Sequence, residues 1–396
     1  MFFLLSFNRG PGKGDKRIRI SPRSPLYLFA KKPIQSTVCF CVNILSLLLE
    51  KTSSMMNNGQ GEAPGSVFCG FPDAYEPIAS ELREVETFLI RELETENAFV
   101  NEVIRYGFRL GGKRLRPALV LLTGQATGEV NPHHIRAAAT LEMIHTATLI
   151  HDDILDGAKV RRHLETMNLR WDSAVSVLAG DVLFAKAMQM TAVSDDIFEY
   201  RTIVEATRTT CEAELRQIGS KGNYELTFDE YLDLISGKTA ALLSCACLLG
   251  AYFSGADQTV QDIFRRFGVK LGVAFQMIDD ILDLVGQESV TGKTLGTDLL
   301  EGKSTLPLIL FMQAASEKDR GEMLSLLQQE EKTPQAMQTI AAKLLQSGAI
   351  DAARQTARET IREANKLLDS PELKTACPSA ILALKSIAND VTEREK

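Results

Sequence analysis

The stretch TLEMIHTATLIHDDILD (Thr140–Asp156) decides the fold, and LGVAFQMIDDILD (Leu271–Asp283) repeats its ending 127 residues later. Each begins as an apolar run, Thr140–Ile150 and Leu271–Ile278, and each closes on three aspartates in the order Asp-Asp-x-x-Asp. A helix that is apolar on most faces belongs at the centre of a bundle. Three acids at the end of such a run therefore place that end at a cleft. Asp152 and Asp156 lie about 40° apart around a helix and one turn apart along it, as do Asp279 and Asp283. Carboxylates so placed can share a hard cation through oxygen ligands. Asp153 and Asp280 complete a set of six acids that repel one another strongly unless cations join them. By contrast, Asp195-Asp196-Ile197-Phe198-Glu199 matches the pattern but follows no apolar helix, and reads as a solvated helix start.

Outward from these two stretches the pattern stays helical. Apolar residues recur at spacings of three and four over 79–106, 134–156, 173–191, 200–218, 228–250, 257–285, 303–315, 335–346 and 352–368. Gly111-Gly112, Pro117, Asn131-Pro132, Gly180, Gly219, Gly292, Gly296 and Pro334 punctuate the runs as helix ends should. No alternating strand stands out, and aromatics are only 7% of the chain, which favours helices over strands. The fold expected is one all-α helical bundle with a central cavity, over residues 77–396.

The net charge of −7 argues against a nucleic-acid binder, whose affinity would rest on basic phosphate contacts. Residues 1–54 hold nine Lys/Arg against two acids, leaving 35 basic and 49 acidic residues downstream. That break separates a basic extension, 1–54, from a disordered lead-in expected over 55–76. The extension reads as a targeting peptide or as sequence upstream of a start at Met55 or Met56. A cytoplasmic location is expected, or an organellar one if the extension is a transit peptide. Its apolar run Val42–Leu49 falls short of the roughly 20 residues a membrane span needs, so no span is expected. The seven cysteines show no C-x-x-C spacing, and Cys245 and Cys247 read as buried small hydrophobes.

Basic groups supply the other half of a site. Gly111-Gly112-Lys113-Arg114-Leu115-Arg116-Pro117 is a glycine turn entering a helix, where exposed amides favour an anion. Lys113 adds a point charge and Arg116 a planar fork suited to phosphate oxygens. Arg161-Arg162 follow the first motif, and Lys238-Thr239, Lys293 and Lys303 lie beside helix ends. Metal-binding carboxylates among separate cations describe a pocket for two diphosphates, one metal-bound and one held by cations.

Taken in order, Gly111–Pro117, Glu142–Thr146 running into Asp152–Asp156, Arg161-Arg162, Gly180-Asp181, Gly237-Lys238-Thr239, Phe275-Gln276 before Asp279–Asp283, Gly292–Asp298 and Gly302-Lys303 resemble the trans-isoprenyl diphosphate synthase family. The likeness is nearest to octaprenyl and solanesyl synthases and covers roughly residues 78–393. It implies that Asp152 and Asp156, supported by Asp153, bind two magnesium ions, and that the second motif (Asp279, Asp280, Asp283), led by Asp279, binds a third. It further implies that Lys113, Arg116, His145 and Arg162 hold isopentenyl diphosphate. Arg161, Lys238, Thr239, Gln276, Lys293 and Lys303 would contact the allylic substrate, with Lys238 near the reacting bond. Gly157-Ala158-Lys159-Val160 departs from the more polar sequence common there, which puts that loop's detail in question.

The growing tail must run from Asp152 back along its helix, past Thr148 and Ala147 toward Met143 and Ile144. Small residues at 147 and 148 point to an open tunnel and a medium-to-long product. The resemblance implies a homodimer. The competing readings are a catalytic subunit of a heteromeric synthase and a class I terpene synthase, which lacks the Gly-Gly-Lys-Arg turn.

Overall fold

The structure, a computed structural model, describes residues 73–109, 112–285, 296–329 and 333–393. Lys293, Gly111 and the whole of 1–72 lie outside them. Ordered packing starts before the expected 77: a 3₁₀ turn, Asp73–Ile78, already buries Tyr75 and Ile78.

The first expected helix is two. α1 (Ala79–Leu93) ends on extended backbone at Glu94, and Asn97 then caps α2 (Ala98–Arg109), its side chain accepting from the Phe99 and Val100 amides. α3 (Leu115–Thr127) and α4 (Pro132–Leu155) follow, the latter opened by an Asn131 capping box and Pro132. After α4 comes a feature not anticipated from sequence, a hairpin of β1 (Val160–Arg161) and β2 (Leu164–Glu165). Then come α5 (Met167–Arg170), α6 (Ser173–Ala192) and α7 (Ile197–Gly219). Asp196 caps α7, accepting from two amides, so the third aspartate cluster is a helix start.

α8 (Phe228–Ile235) runs through a π-helical turn, Ser236–Ala240, into α9 (Ala241–Phe253), and α10 (Gln258–Val285) carries the second motif. A short α11 (Thr297–Leu300), α12 (Leu306–Ala314), α13 (Glu317–Leu327), α14 (Pro334–Gln346), α15 (Ala349–Leu368) and α16 (Pro378–Glu393) complete the chain. α16 lay beyond the last run read from periodicity.

Packing sets α4 and α10 at the centre, as their apolar faces require. α4 lies between α3 and α6, while α10 lies between α9 and α15. Leu141, Met143, Ile144 and Ala147 of α4, and Leu271, Ala274 and Met277 of α10, are buried. Cys245 and Cys247 are buried in α9 as read. Among the described residues, the continuous helix Phe228–Phe253 alone is long and apolar enough to cross a membrane, but most of it is buried in the bundle. It serves as a core helix.

A close helix contact holds the π turn. A Cβ on Gly272 of α10 would stand 2.4 Å from Ala240 Cα and 2.7 Å from its Cβ. Gly272→Leu is therefore expected to destabilise the protein by about 1–3 kcal/mol, since backbone must move to make room. Gly321→Ala, in the interior of α13 with nothing near, should stabilise it by roughly 0.5–1 kcal/mol. Thermal melts of the two variants decide this, and equal shifts would contradict the packing described.

Candidate active site

The site is built where α4 ends. α4 presents His145, Thr148, Asp152 and Asp153 before closing on Asp156 at its C-terminus. Burial, then Glu214 on α7, push the Asp152 carboxyl up to about 7, with Lys238 and Arg161 opposing. Asp153 is turned inward, 1% exposed, and accepts a 2.8 Å hydrogen bond from Arg161 Nε. Asp156 lies 3.5 Å from the Lys303 ammonium.

Lys303 joins the two motifs. Its ammonium is also 3.2 Å from Asp298 and 3.0 Å from Glu301. The Asp298 amide in turn donates to Asp283 Oδ2 at 3.1 Å, and the Gly296 amide to the Asp283 carbonyl at 2.6 Å. The chain Asp283, Asp298, Lys303, Asp156 thus brings the ends of α4 and α10 to one cleft. Burial alone would lower the Lys303 pKa, but Asp298, Asp156 and Glu301 together hold it above its ordinary value.

Asp279 is exposed on the cleft side of α10, whereas Asp280 is not. Asp280 is 4% exposed and points into the core. It accepts from Tyr231 Oη at 2.7 Å, from Gln276 Nε2 at 3.0 Å and from the Leu306 amide at 3.4 Å. Asp280, taken from the resemblance as a catalytic member of the second motif, lies 100° around the helix from its neighbour Asp279 and faces the protein.

Lys238 and Thr239 sit in the π turn. Such turns shift the helical register and recur at functional sites. Thr239 Oγ1 donates to Gln276 Oε1 at 2.6 Å. Lys238 Nζ is held between Glu214 (2.9 Å) and Gln217 (2.8 Å) of α7. Burial would lower its pKa, but Glu214 and Asp152 raise it overall.

The second cationic group gathers around His145, two turns before Asp152 and nearly on the same face of α4. Arg114, buried and in left-handed backbone (φ 55°), precedes α3 and pairs with Glu142 of α4 (2.8 Å) and Glu86 of α1 (3.5 Å). That tether fixes Lys113 and Arg116 on either side of it. Lys113 is exposed; Arg116 has a buried Nε with no hydrogen-bond partner among the described residues. Burial, opposed by Glu142, draws Arg116 down to about 10. The hairpin tip supplies Arg162. Arg162 (φ 51°) and His163 (φ 63°) both take the left-handed conformation that a two-residue turn of this hand demands. The usual residues there are Asn and Gly, so the tip stores about 1–2 kcal/mol per residue. The turn sets the Arg162 guanidinium on Gly112, where a Cβ would meet Nη2 at 2.5 Å. Burial lowers the His145 pKa well below its ordinary value, and Arg116, Arg161, Arg162 and Arg114 lower it further. His145 is thus a neutral imidazole among four guanidinium groups, and the unusual loop after the first motif still delivers both arginines.

The structure therefore gathers Lys113, Arg116, His145 and Arg162 in one group, and Asp152, Asp156, Lys238, Thr239, Gln276, Asp283 and Lys303 in another. Glu214, Gln217, Tyr231 and the Arg114–Glu142 pair were not singled out from sequence. A Glu and a Gln three apart on α7 look like any solvated pair, and Tyr231 had no signal at all.

The carboxylate oxygens of both motifs suit a hard divalent cation. Among the described residues, no three acidic, His or Cys side chains are already drawn together tightly enough to grip an ion.

Residues 97–344 match the polyprenyl synthetase family. The all-trans-nonaprenyl-diphosphate synthase (geranyl-diphosphate specific) of Rhodobacter capsulatus is 34% identical over 300 residues, 75% of this chain and 91% of that protein. Heptaprenyl diphosphate synthase component 2 of Bacillus subtilis is 30% identical, over 83% of this chain and 93% of that protein. Among solved structures, a polyprenyl synthase from Caulobacter crescentus, complexed with calcium and isoprenyl diphosphate, superposes with a TM-score of 0.76. It is 30% identical over 85% of this chain and all of that one. With both aspartate motifs and both cationic groups in place on that all-α fold, the chain belongs to the polyprenyl synthetase family.

Proposed function

We propose that this chain condenses isopentenyl diphosphate onto an allylic diphosphate repeatedly, making a medium-to-long all-trans polyprenyl diphosphate. One observation carries the reading. Two anion-binding groups lie along α4, one beside the paired aspartate motifs and one two turns back around His145, without any exposed carboxylate of those motifs.

The allylic diphosphate is held at Lys238, Thr239 and Gln276, with Lys303 beside it and Lys293 expected there. Arg161, locked by Asp153, lends its charge without needing to move. Isopentenyl diphosphate is held at Lys113, Arg116, His145 and Arg162, where neutral His145 can donate a hydrogen bond. The family uses a divalent metal. Asp152 and Asp156 would hold two magnesium ions, with Asp153 behind them, and Asp279 with Asp283 a third. Bound there, magnesium supplies the neutralisation that lets the allylic carbon–oxygen bond ionise. The protein holds the isopentenyl double bond against that carbon and keeps water from the cation. The departing pyrophosphate takes the proton that the new bond displaces.

A homodimer fits the exposed apolar side chains Leu178 and Val182 on α6 and Ile197 on α7. A hetero-oligomer is the second possibility, because one relative is named as a component of a heptaprenyl synthase.

The purified chain, given farnesyl diphosphate, labelled isopentenyl diphosphate and magnesium, should yield a long prenyl chain. Asp152→Ala or Asp279→Ala should lower turnover by orders of magnitude with unchanged circular dichroism. Near-normal turnover in either variant would show that these acids do not serve the reaction.

Product length follows from the same helix. Met143, Ile144 and Ala147 are wholly buried behind Asp152, and Thr148 is partly open one turn before it. Each turn adds about 5.4 Å of depth, close to one extended isoprene unit. Ala147→Phe should keep the condensation chemistry and shift product toward farnesyl or geranylgeranyl diphosphate, at a stability cost of about 1–3 kcal/mol. Chromatography of the dephosphorylated products reads this out. An active variant making the parent's long product would place the ruler on another helix.

A further inference from the structure

Asp280 belongs to the second motif by sequence, yet its carboxylate never reaches the cleft, so its place in the site needs another account. Both its oxygens accept hydrogen bonds: Oδ1 from Gln276 Nε2, and Oδ2 from Tyr231 Oη and the Leu306 amide at the start of α12. The last contact puts the carboxylate at a helix N-terminus, where negative charge is favoured. Gln276 and Asp280 are one turn apart on α10, so an acceptor at Asp280 forces the amide nitrogen of Gln276 toward it. The amide oxygen must then face Thr239, whose hydroxyl donates to it at 2.6 Å. Four side chains from three helical segments thus form one directed chain: Tyr231, Asp280, Gln276, Thr239. Only the last two touch the group read above as the allylic diphosphate site.

We propose that Tyr231, through Asp280, is a positioning residue for the allylic diphosphate. Its hydroxyl holds Asp280 at the angle that fixes the Gln276 amide and, through it, the Thr239 hydroxyl. Tyr231 is 3% exposed in α8, and its phenol stays protonated because burial and then Asp280 raise its pKa well above the ordinary value. The inference rests on the proposed function, because it takes Thr239 and Gln276 to bind allylic substrate.

Tyr231→Phe removes the hydroxyl and keeps the ring. With farnesyl and labelled isopentenyl diphosphates, kcat/KM for the allylic substrate should fall about ten- to a hundredfold, while KM for isopentenyl diphosphate stays within about twofold. In a Gln276→Ala background the same substitution should change nothing further, because the chain it acts through is already cut. A purely structural role predicts equal, additive losses for both substrates, and that result would overturn the proposal. Should Tyr231→Phe not fold, Asp280→Asn keeps the shape and removes the acceptor charge that orients the amide, with the same split expected. A parent protein inactive with both diphosphates would overturn the functional reading and this inference with it. An active parent with additive variants would overturn this inference alone.

Discussion

Two apolar helices that each end in three aspartates bring more negative charge into one space than a bundle interior accepts, and the arrangement of the site follows from how that charge is met. Two unit charges about 4 Å apart repel by about 4 kcal/mol at an effective dielectric of about 20. The protein answers unevenly. Arg161 meets Asp153, the Tyr231 and Gln276 donors meet Asp280, and Lys303 lies against Asp156. Asp152 borders the cleft facing Glu214, where burial and then Glu214 push its carboxyl up to about 7. The middle aspartate of each motif has thus become part of the scaffold, while the outer ones border the cleft.

The cations of the second group need positions of their own. Arg114 lies in left-handed backbone, fixed by Glu142 and Glu86, and Arg162 and His163 share a left-handed turn that an arginine disfavours. These strained residues flank the anion-binding group that lies apart from the aspartates. Strain of this kind persists only where surrounding contacts over-determine it. Here those contacts are a buried ion pair in one case, and in the other a guanidinium laid on Gly112 with Tyr106 hydrogen-bonded to the hairpin at the Glu165 carbonyl.

Much of this was legible in the residues, for stated reasons. Apolar periodicity that continues to the last residue before three acids marks both a core helix and its exit at a cleft, and α4 and α10 are both. The same test assigned Asp195-Asp196 to a helix start, where Asp196 now caps α7. What periodicity cannot carry is direction around the helix at a motif: Asp279 and Asp280 look equivalent in sequence, yet one is exposed and the other buried. Nor does it reveal two-residue strands, whose pairing is set by the turn between them. The break between α1 and α2 was hidden because Glu94–Asn97 lacks glycine and proline, and only the Asn97 cap announces it. Glu214, Gln217 and Tyr231 escaped notice because their roles lie in pairings across helices distant in sequence.

The central claim is that α4 carries two diphosphate sites of different construction along its length. Arg116, with its buried and unpartnered Nε, belongs to the site away from the aspartates. Steady-state kinetics of Arg116→Ala with both substrates varied tests this most directly. A KM for isopentenyl diphosphate raised about tenfold or more, with KM for the allylic primer nearly unchanged, is the result the account predicts. An equal rise for both substrates would contradict it.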